Sequence, residues 1–248
     1  MTGPCQPAPV GGGRPLALWA VPRAASTAFE RMVIERGDHT VFDEPFSEHY
    51  YFGPHKVSPR FAETRPHADP AAILDRVEAA ARRGPVFVKD MAYHVAGLAS
   101  PAFAARFTNT FLIRDPARSL PSLARMWPDF TDEEAGFDAL AELVAAAEAA
   151  GQDPVVVDSD DLCRHPEAIV ASWCRRVGLP VVPEALHWAP GMRPEWQLWP
   201  DWYGATSRST GFQPPAGAPP PPLDGRVAAA CERERPVYEA LHARRLVP

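Results

Sequence analysis

The stretch LALWAVPRAASTAFERM, residues 16–32, runs from a strand-like segment into a helix-like segment through a very short joint. Residues 16–21 are all apolar, which predicts a buried strand. Residues 26–36 place apolar side chains at helical spacing, which predicts a helix with one buried face. A strand followed at once by a helix is the unit from which parallel α/β sheets are built, so this stretch indicates the fold class.

The same alternation continues along most of the chain. Further strands are predicted at 40–45, 85–91, 108–115 and 153–162, and further helices at 68–84, 101–107, 117–127, 133–151, 165–179 and 224–245, the last interrupted at Pro236. This order predicts βαβ units around a parallel, roughly five-stranded sheet flanked by helices. The periodicity fades after residue 180, where prolines and tryptophans are frequent.

The composition excludes several classes of partner. The 248 residues are 46% hydrophobic and carry a formal net charge of −6, from 25 basic and 31 acidic side chains. This balance gives no overall attraction to nucleic acid or to an anionic membrane, although a local basic pocket is compatible with it. No apolar run approaches the ~20 residues of a membrane span.

The predicted organisation is a short leader followed by one domain. Residues 1–15 are rich in glycine and proline and lack the apolar core of a signal peptide, which predicts a disordered leader. Residues 16–248 are expected to form a single α/β domain with a Pro- and Trp-rich C-terminal part. The cysteines have neither CxxC nor zinc-finger spacing, which favours reduced thiols in a cytoplasmic protein without a metal site. These cysteines are Cys5, Cys163, Cys174 and Cys231.

The joint PRAAST, residues 22–27, has the composition of an anion site. Ligands of parallel α/β sheets bind at the carboxyl ends of the strands, where helix N-termini offer unpaired N–H groups. Arg23 adds a positive charge, and Ser26 and Thr27 add hydroxyl groups. An ordinary helix cap beside a surface arginine is the alternative interpretation. Neither GxxxxGK[ST] nor GxGxxG is present, which disfavours nucleoside triphosphate hydrolysis and dinucleotide binding.

A second stretch, FLIRDPARSLPSLARM at residues 111–126, repeats this design. A buried strand ends at Arg114, a proline turns the chain, and a helix begins. Ser122 follows the arginine by eight residues and can face back toward the strand end. Arg114 and Ser122 would then hold a second anion. The alternative is an ordinary ion pair of Arg114 with Asp115 or a nearby carboxylate, with Ser122 on a solvated helix face.

Both stretches resemble the signatures of sulfotransferases that use 3'-phosphoadenosine-5'-phosphosulfate (PAPS). PRAAST looks like the family's first strand–helix loop, which binds the 5'-phosphosulfate. RDPARSLPS, residues 114–122, fits the arginine–serine pair that binds the 3'-phosphate. The resemblance implies a P-loop-like three-layer sandwich, PAPS as the sulfuryl donor and 3'-phosphoadenosine-5'-phosphate (PAP) as its product.

This chain departs from the family loop at two positions. Ala24 and Ala25 replace the usual serine and glycine. The first change removes a hydroxyl near the expected phosphosulfate. The second means that residue 25 adopts a negative φ or carries strain. Neither change removes the backbone N–H groups, so Arg23, Ala24, Ala25, Ser26 and Thr27 are all expected to contact the nucleotide.

Two regions near the C-terminus are further candidates. Many family members close over the 3'-phosphate with a basic, glycine-containing loop, and SRSTGF at residues 207–212 is similar to it through Ser207, Arg208 and Gly211. An ordinary exposed loop is the alternative. A cluster of aromatic residues could line an acceptor pocket, although packing is the favoured interpretation. Its members are Trp196, Trp199, Trp202 and Tyr203.

The expected reaction moves a sulfuryl group to a hydroxyl or amine of a small molecule. Its transition state spreads negative charge over the sulfuryl and bridging oxygens, so cations and helix N–H groups lower the barrier. Arg23 is the candidate on the leaving-group side, and no metal is required. A nucleotide-binding phosphotransferase on a related P-loop fold, or a catalytically silent relative that binds PAP, are the alternative functions.

The general base is where the resemblance is weakest. Cytosolic members carry Lys-x-His after the third strand; Lys89 matches the lysine, but Met91 occupies the histidine position. His94 could reach the same space. If it is the base and has an ordinary pKa of ~6.5, the reaction rate should fall below about pH 6 to 7, because the imidazole becomes protonated. Some relatives use a glutamate, for which Glu44 is the candidate. The remaining candidates are Asp90 and His49.

Overall fold

The computed structural model describes residues 13–215 and 225–248. At its centre is a five-stranded sheet in which neighbouring strands are parallel. The strands are β1 (Leu16–Ala20), β2 (Thr40–Asp43), β3 (Val86–Met91), β4 (Thr108–Ile113) and β5 (Val155–Asp158). Their order is β2-β3-β1-β4-β5, which confirms the predicted parallel α/β fold.

Helices flank this sheet. They are α1 (Ser26–Arg36), α2 (Ser47–Phe52), α3 (Pro70–Ala81), α4 (Pro101–Ala104), α5 (Pro116–Met126), α6 (Asp132–Ala135), α7 (Phe137–Ala149), α8 (Ser159–Arg164), α9 (Pro166–Val177) and α10 (Gly225–His242). A short 3₁₀ helix, Ala92–Val95, directly follows β3. Within the described ranges, no helix has the length and apolar character that a membrane crossing requires.

The central strand β1 positions the loops of interest. All five of its residues are buried, and Ala20 at its carboxyl end is in register with Met91 of β3 and Leu112 of β4. The loops after these three strands therefore leave the sheet side by side. Ligands of open parallel sheets bind at this edge, close to the point where the chain switches from one side of the first strand to the other.

Aromatic packing holds β1 in place. Trp19 is fully buried, and its ring centroid lies 6.0 Å from that of Phe46, 5.9 Å from Phe103 and 5.5 Å from Phe107. Its indole N–H donates to the Asn109 side-chain oxygen over 2.8 Å, so the polar atom of this core residue has a partner. The loop after β1 thus extends from a strand that is packed on both faces.

The predicted strand 153–162 is too long. β5 ends at Asp158, and α8 begins at the next residue. The cause is a side-chain cap, because the Asp158 carboxylate accepts hydrogen bonds from the backbone N–H groups of Asp160 and Asp161, 2.9 and 3.0 Å away. Asp160 and Asp161 consequently lie at the ligand edge of the sheet rather than inside a strand.

Three helical segments also differ from the prediction. The predicted helix 133–151 is divided into α6 and α7 at Gly136, which has a left-handed φ of 82°. α2 is too short to show helical periodicity in the sequence, and it forms under aromatic packing from outside the segment: its Tyr51 ring packs edge-on against Trp199, 5.4 Å between centroids. α10 is continuous through Pro236, where an interruption is predicted. It packs against α5 and α7, and this packing outweighs the loss of one backbone hydrogen bond at the proline.

The leader and domain predictions are not tested by the fold. Residues 1–12 and 216–224 lie outside the described residues, which removes Cys5 and most of the predicted leader 1–15 from the comparison. A single domain over 16–248 stays a prediction. The cysteines that the structure does describe, Cys163, Cys174 and Cys231, are buried and free.

Candidate active site

A cavity of about 340 Å³ opens at the carboxyl edge of the sheet. Segments that follow all five strands contribute to its wall, together with α2, α5 and the C-terminal stretch from residue 199 to residue 215. The cavity therefore lies where the topology of an open parallel sheet places ligands. Its two halves differ in chemistry: arginines and the start of α1 form one part, and aromatic rings with an imidazole and a carboxylate form the other.

The loop between β1 and α1 turns through two left-handed residues. Arg23 and Ala25 both have φ of 62°. Of the two expected conformations of residue 25, a negative φ or a strained backbone, the structure shows the strained one. Ala25 is the N-cap of α1, and no side chain caps the helix. Both hydroxyl residues line the cavity, whereas Ala24 is fully buried behind it. The uncapped N–H groups of α1 face a site suited to an anion.

The two sequence motifs meet through Arg23. Its Nε donates a hydrogen bond to Oγ of Ser122 on α5 over 3.1 Å. Its backbone carbonyl accepts a hydrogen bond from Nη1 of Arg114, 2.8 Å away. Arg114 lines the cavity directly after β4, while Ser122 lies behind Arg23 and is not part of the wall. Pairing of β1 with β4 brings these residues together.

Positive charge accumulates around Arg23 without an equal countercharge. Burial lowers the pKa of the Arg23 guanidinium, and the charges of Arg114 and Arg125 lower it further. The guanidinium contacts Ser122 and lies 5.6 Å from the Trp202 ring centre, and it forms no salt bridge with any described residue. A buried cation beside like charges favours a bound anion, because the anion removes the repulsion.

Arg114 has a carboxylate neighbour, as one alternative from the sequence allowed. Its Nε lies 3.6 Å from Oδ1 of Asp160. Asp115, the other expected partner, instead caps α5 and faces an arginine of α10. Arg118 and Arg164 also contact Asp160, at 3.1 and 3.4 Å. The region predicted for the 3'-phosphate is therefore a cluster of three arginines around one carboxylate.

His94 lines the cavity from the 3₁₀ helix after β3. Its Nδ1 lies 2.6 Å from Oδ1 of Asp90, which also accepts a hydrogen bond from the Met91 N–H, while Oδ2 accepts one from the Phe46 N–H. Burial raises the pKa of Asp90 well above its ordinary value, although both backbone donors favour its anion. The short contact with Asp90 fixes the orientation of the imidazole ring.

The other nitrogen of His94 could exchange a proton with a ligand. Nε2 is buried and has no hydrogen-bond partner in the described part of the chain. Burial lowers the pKa of His94 to about 4, which keeps the imidazole neutral near pH 7. This corrects the expectation of an ordinary titration near ~6.5. Asp90 orients the ring but does not line the cavity, and neither does His49.

Glu44 lines the cavity immediately after β2. Its φ of 46° is left-handed, a conformation that is uncommon for glutamate and that the loop must enforce. Oε1 accepts a hydrogen bond from Nζ of Lys89 over 2.6 Å. Burial raises the pKa of Glu44 even though Lys89 opposes this shift. Glu44 is thus a second group that could exchange a proton with a ligand.

Lys89 does not reach the cavity wall. It is fully buried, forms a salt bridge with Asp43, and lies 3.8 Å from Glu30 in addition to its contact with Glu44. Burial lowers the pKa of Lys89, but the three carboxylates outweigh this effect and raise it well above its ordinary value. The geometry therefore makes Lys89 a support for Asp43 and Glu44.

The C-terminal predictions have mixed outcomes. Trp199, Trp202 and Tyr203 line the cavity and also pack against other aromatic rings, whereas Trp196 is buried and donates to Glu30 over 3.0 Å. Gly211 is also on the wall. Ser207 and Arg208 are not; the Ser207 hydroxyl donates to the Gly204 carbonyl. The structure thus brings only one of the three predicted loop residues to the cavity.

Several wall residues carry no recognisable sequence motif. They are Tyr51, Tyr93, Trp127, Ser159, Asp160 and Cys163. The last three follow β5. Because an aspartate that caps a helix marks the end of the preceding strand, Asp158 is the sequence signal that could have placed these residues at the carboxyl end of β5. Tyr93 directly follows β3, whereas Tyr51 and Trp127 lie far from any strand end, so only the packing of α2, α5 and the 3₁₀ helix brings the three aromatic residues together.

One group of side chains has metal-binding composition. The ligand atoms of Asp158, Asp161 and His242 all lie within 4.8 Å of one another. Asp158 already accepts hydrogen bonds from two backbone N–H groups and the Tyr238 hydroxyl, and Asp161 pairs with Arg245 at 2.7 Å. Both carboxylates therefore have protein partners. The group lies outside the cavity wall.

Comparisons with known proteins give a family match over nearly the whole chain. A family model described as the sulfotransferase domain matches residues 15–245. Two curated proteins of Arabidopsis thaliana, branched-chain-amino-acid aminotransferase-like proteins 2 and 1, are each 29% identical to this chain over 218 residues. The matches cover 81% of this chain but 36% and 37% of those proteins, so this chain spans about a third of their length.

Two solved structures are also similar. The sulfotransferase domain from the curacin biosynthetic pathway has a TM-score of 0.48 and 12% identity, with 97% of this chain and 100% of that chain covered. The sulfotransferase domain from the Synechococcus PCC 7002 olefin synthase has a TM-score of 0.43 and 14% identity, with 90% and 95% covered.

Proposed function

Because this chain belongs to the sulfotransferase domain family, we propose that it transfers a sulfuryl group from PAPS to a hydroxyl or amine of a small-molecule acceptor. The observation that carries the proposal is the convergence of Arg23, Arg114 and Ser122 at the uncapped start of α1. Arg23 has no salt bridge among the described residues, so this part of the cavity fits an anionic group.

The residues that would hold PAPS fall into two sets. The N–H groups at the start of α1, with Arg23, Ser26 and Thr27, would hold the phosphosulfate. Arg114 would hold the 3'-phosphate, with Ser122 keeping Arg23 oriented. PAPS, when bound, supplies an activated sulfuryl group. Arg23 then offers positive charge to the oxygens on which negative charge develops during transfer.

His94 is the proposed base for the acceptor. Asp90 fixes the imidazole through Nδ1, and Nε2 keeps its lone pair at the cavity. A neutral imidazole in this arrangement can accept the proton of an acceptor hydroxyl. Glu44, at the same cavity, is the alternative base. Tyr51, Tyr93 and Trp199 offer aromatic surface for the body of the acceptor.

A ligand screen by thermal shift tests the proposal. PAP at a hundred times its Kd should stabilise the protein by about 2.7 kcal/mol, equivalent to roughly 5–10 °C in Tm for a chain of this size. ATP and AMP should give smaller shifts. Turnover of PAPS with a panel of hydroxyl and amine acceptors then completes the test. Binding of PAP without any turnover would indicate a silent relative, and a preference for ATP would indicate a phosphotransferase.

A further inference from the structure

Asp160 lies among three arginines at the cavity wall. Its Oδ1 is 3.6 Å from Nε of Arg114, and its Oδ2 is 3.1 Å from Nε of Arg118 and 3.4 Å from Nη2 of Arg164. The three arginines come from different elements: the end of β4, the first turns of α5, and the end of α8. A single carboxylate therefore lies between three arginine side chains that come from separate parts of the fold.

The secondary structure around it does not need this side chain. Asp158, not Asp160, caps α8, and the Asp160 N–H is one of the groups that Asp158 satisfies. Asp161 makes its own ion pair with Arg245 and does not line the cavity. The Asp160 side chain is thus free of any capping role. Its remaining contacts are with Arg114, which lines the cavity, and with Arg118 and Arg164, which do not.

The contact between Asp160 Oδ1 and Arg114 Nε is an ion pair without a hydrogen bond. Asp160 Oδ1 and Arg114 Nε are both buried, and neither has a hydrogen-bond partner among the described residues. At 3.6 Å the two atoms attract each other as charges without forming the bond that both could make. Buried polar atoms normally have partners, so this pair leaves donor capacity on Arg114 for another acceptor.

We propose, on the basis of the function proposed above, that the Asp160 carboxylate substitutes for the nucleotide 3'-phosphate in the ligand-free protein and lowers the affinity for PAP. A 3'-phosphate on Arg114 would meet a like charge within the same cluster. Binding of PAP therefore requires the Asp160 carboxylate to move away from Arg114. After this movement the carboxylate stays paired with Arg118 and Arg164. Asp160 is a specificity-determining residue in this scheme: it opposes every 3'-phosphorylated ligand and helps to release PAP.

The test is a calorimetric titration of PAP, AMP and inorganic phosphate into the unaltered protein, Asp160→Asn and Asp161→Asn. Asp160→Asn removes the competing charge and keeps the side-chain shape. It should bind PAP about tenfold more tightly, within the usual size of such couplings, and change AMP affinity less than about twofold. Phosphate affinity should also rise. Asp161→Asn removes an adjacent carboxylate away from the cavity and should change none of these affinities.

The possible outcomes separate this inference from the proposed function. Weaker PAP binding by Asp160→Asn would mean that the carboxylate organises the arginines, and unchanged binding would mean that it has no effect; either overturns the inference while PAP binding itself stands. Equal changes for PAP and AMP would overturn it too, by assigning Asp160 to a ribose hydroxyl. If the unaltered protein binds no PAP but Asp160→Asn gains phosphate affinity, the proposed function fails and the carboxylate remains an anion substitute. Asp160→Ala, with melting curves for all variants, provides a second variant if the asparagine misfolds.

Discussion

Arg23 donates a hydrogen bond from Nε to Oγ of Ser122, a residue 99 positions later in the chain. This bond joins the loop after β1 to the helix after β4, and the carbonyl of the same arginine accepts a bond from Arg114. The two motifs that are predicted to bind anions are therefore one connected structure. A change in either motif should affect the other through Arg23, and the variants below are chosen to separate the effects.

Arg114→Ala should make nucleotide binding insensitive to the 3'-phosphate. A charge-assisted contact contributes about 1.5–3 kcal/mol, so PAP affinity should fall roughly tenfold to a hundredfold. AMP affinity should change little, because AMP has no 3'-phosphate. Calorimetry with both ligands measures the difference. Arg106→Ala is the control, since Arg106 pairs with Glu78 at the surface. Equal losses for PAP and AMP would contradict the assignment.

Arg23→Ala should lower kcat far more than it raises the KM for PAPS. The reason is that its charge acts mainly on the oxygens that become negative in the transition state. Steady-state kinetics with varied PAPS measure both constants. Arg23→Lys keeps the charge but not the planar donor fork, and we expect an intermediate kcat. If only KM changed, Arg23 would be a binding residue and the backbone of α1 would carry the leaving-group role.

His94→Asn should remove most of kcat and leave PAP affinity intact. General base catalysis typically contributes 10²–10⁴-fold, and the variant lacks the Nε2 base. Asp90→Asn should also lower kcat strongly, because its amide cannot hold the same imidazole tautomer. Glu44→Gln should be mild by comparison. A near-normal kcat for His94→Asn, in an assay limited by chemistry, together with a large loss for Glu44→Gln, would transfer the role to Glu44.

The rate should show little pH dependence between about pH 5.5 and 8. An ordinary histidine loses half of its basic form at ~6.5, but burial lowers the pKa of His94 to about 4. The basic form, which the reaction needs, is therefore retained as the pH falls and lost only near that lower value. A profile of kcat/KM against pH, with circular dichroism to confirm folding at each pH, measures this. A decline centred near 6.5 would show that the imidazole titrates as if exposed.

Ala25→Gly should stabilise the protein. Ala25 has φ of 62°, and a left-handed conformation costs a non-glycine residue roughly 1–2 kcal/mol, part of which the extra flexibility of unfolded glycine cancels. We expect a net gain of about 0.5–1 kcal/mol, measured by denaturant unfolding. Ala24→Gly is the matched control: Ala24 is fully buried, and its φ is not positive. Ala24→Gly should lower the free energy of unfolding. If both variants lowered it, residue 25 would not be strained.

Much of the fold follows from local sequence. The apolar run of β1, the amphipathic pattern of α1 and the alternation after them predict a parallel α/β sheet, and the sheet has that form. Periodicity is a property of neighbouring residues, so it can be recognised without knowing the rest of the chain. Errors arise where an element is too short for periodicity, as in α2, or where a side-chain cap ends a strand early, as at Asp158.

The sequence by itself determined the fold class, the family resemblance and the two motifs that contain Arg23 and Arg114. Only the tertiary structure decided that Arg23 contacts Ser122, that Asp160 lies among three arginines, and that Asp90 orients His94. These are contacts between side chains whose meeting depends on strand order, on where each strand ends and on left-handed backbone angles. The contacts of Arg23 with Ser122 and of Asp160 with Arg114 join segments that are distant along the chain, so they result from packing and are not a local property of sequence. Asp90 and His94 are only four residues apart, and they meet because the 3₁₀ helix follows β3 directly.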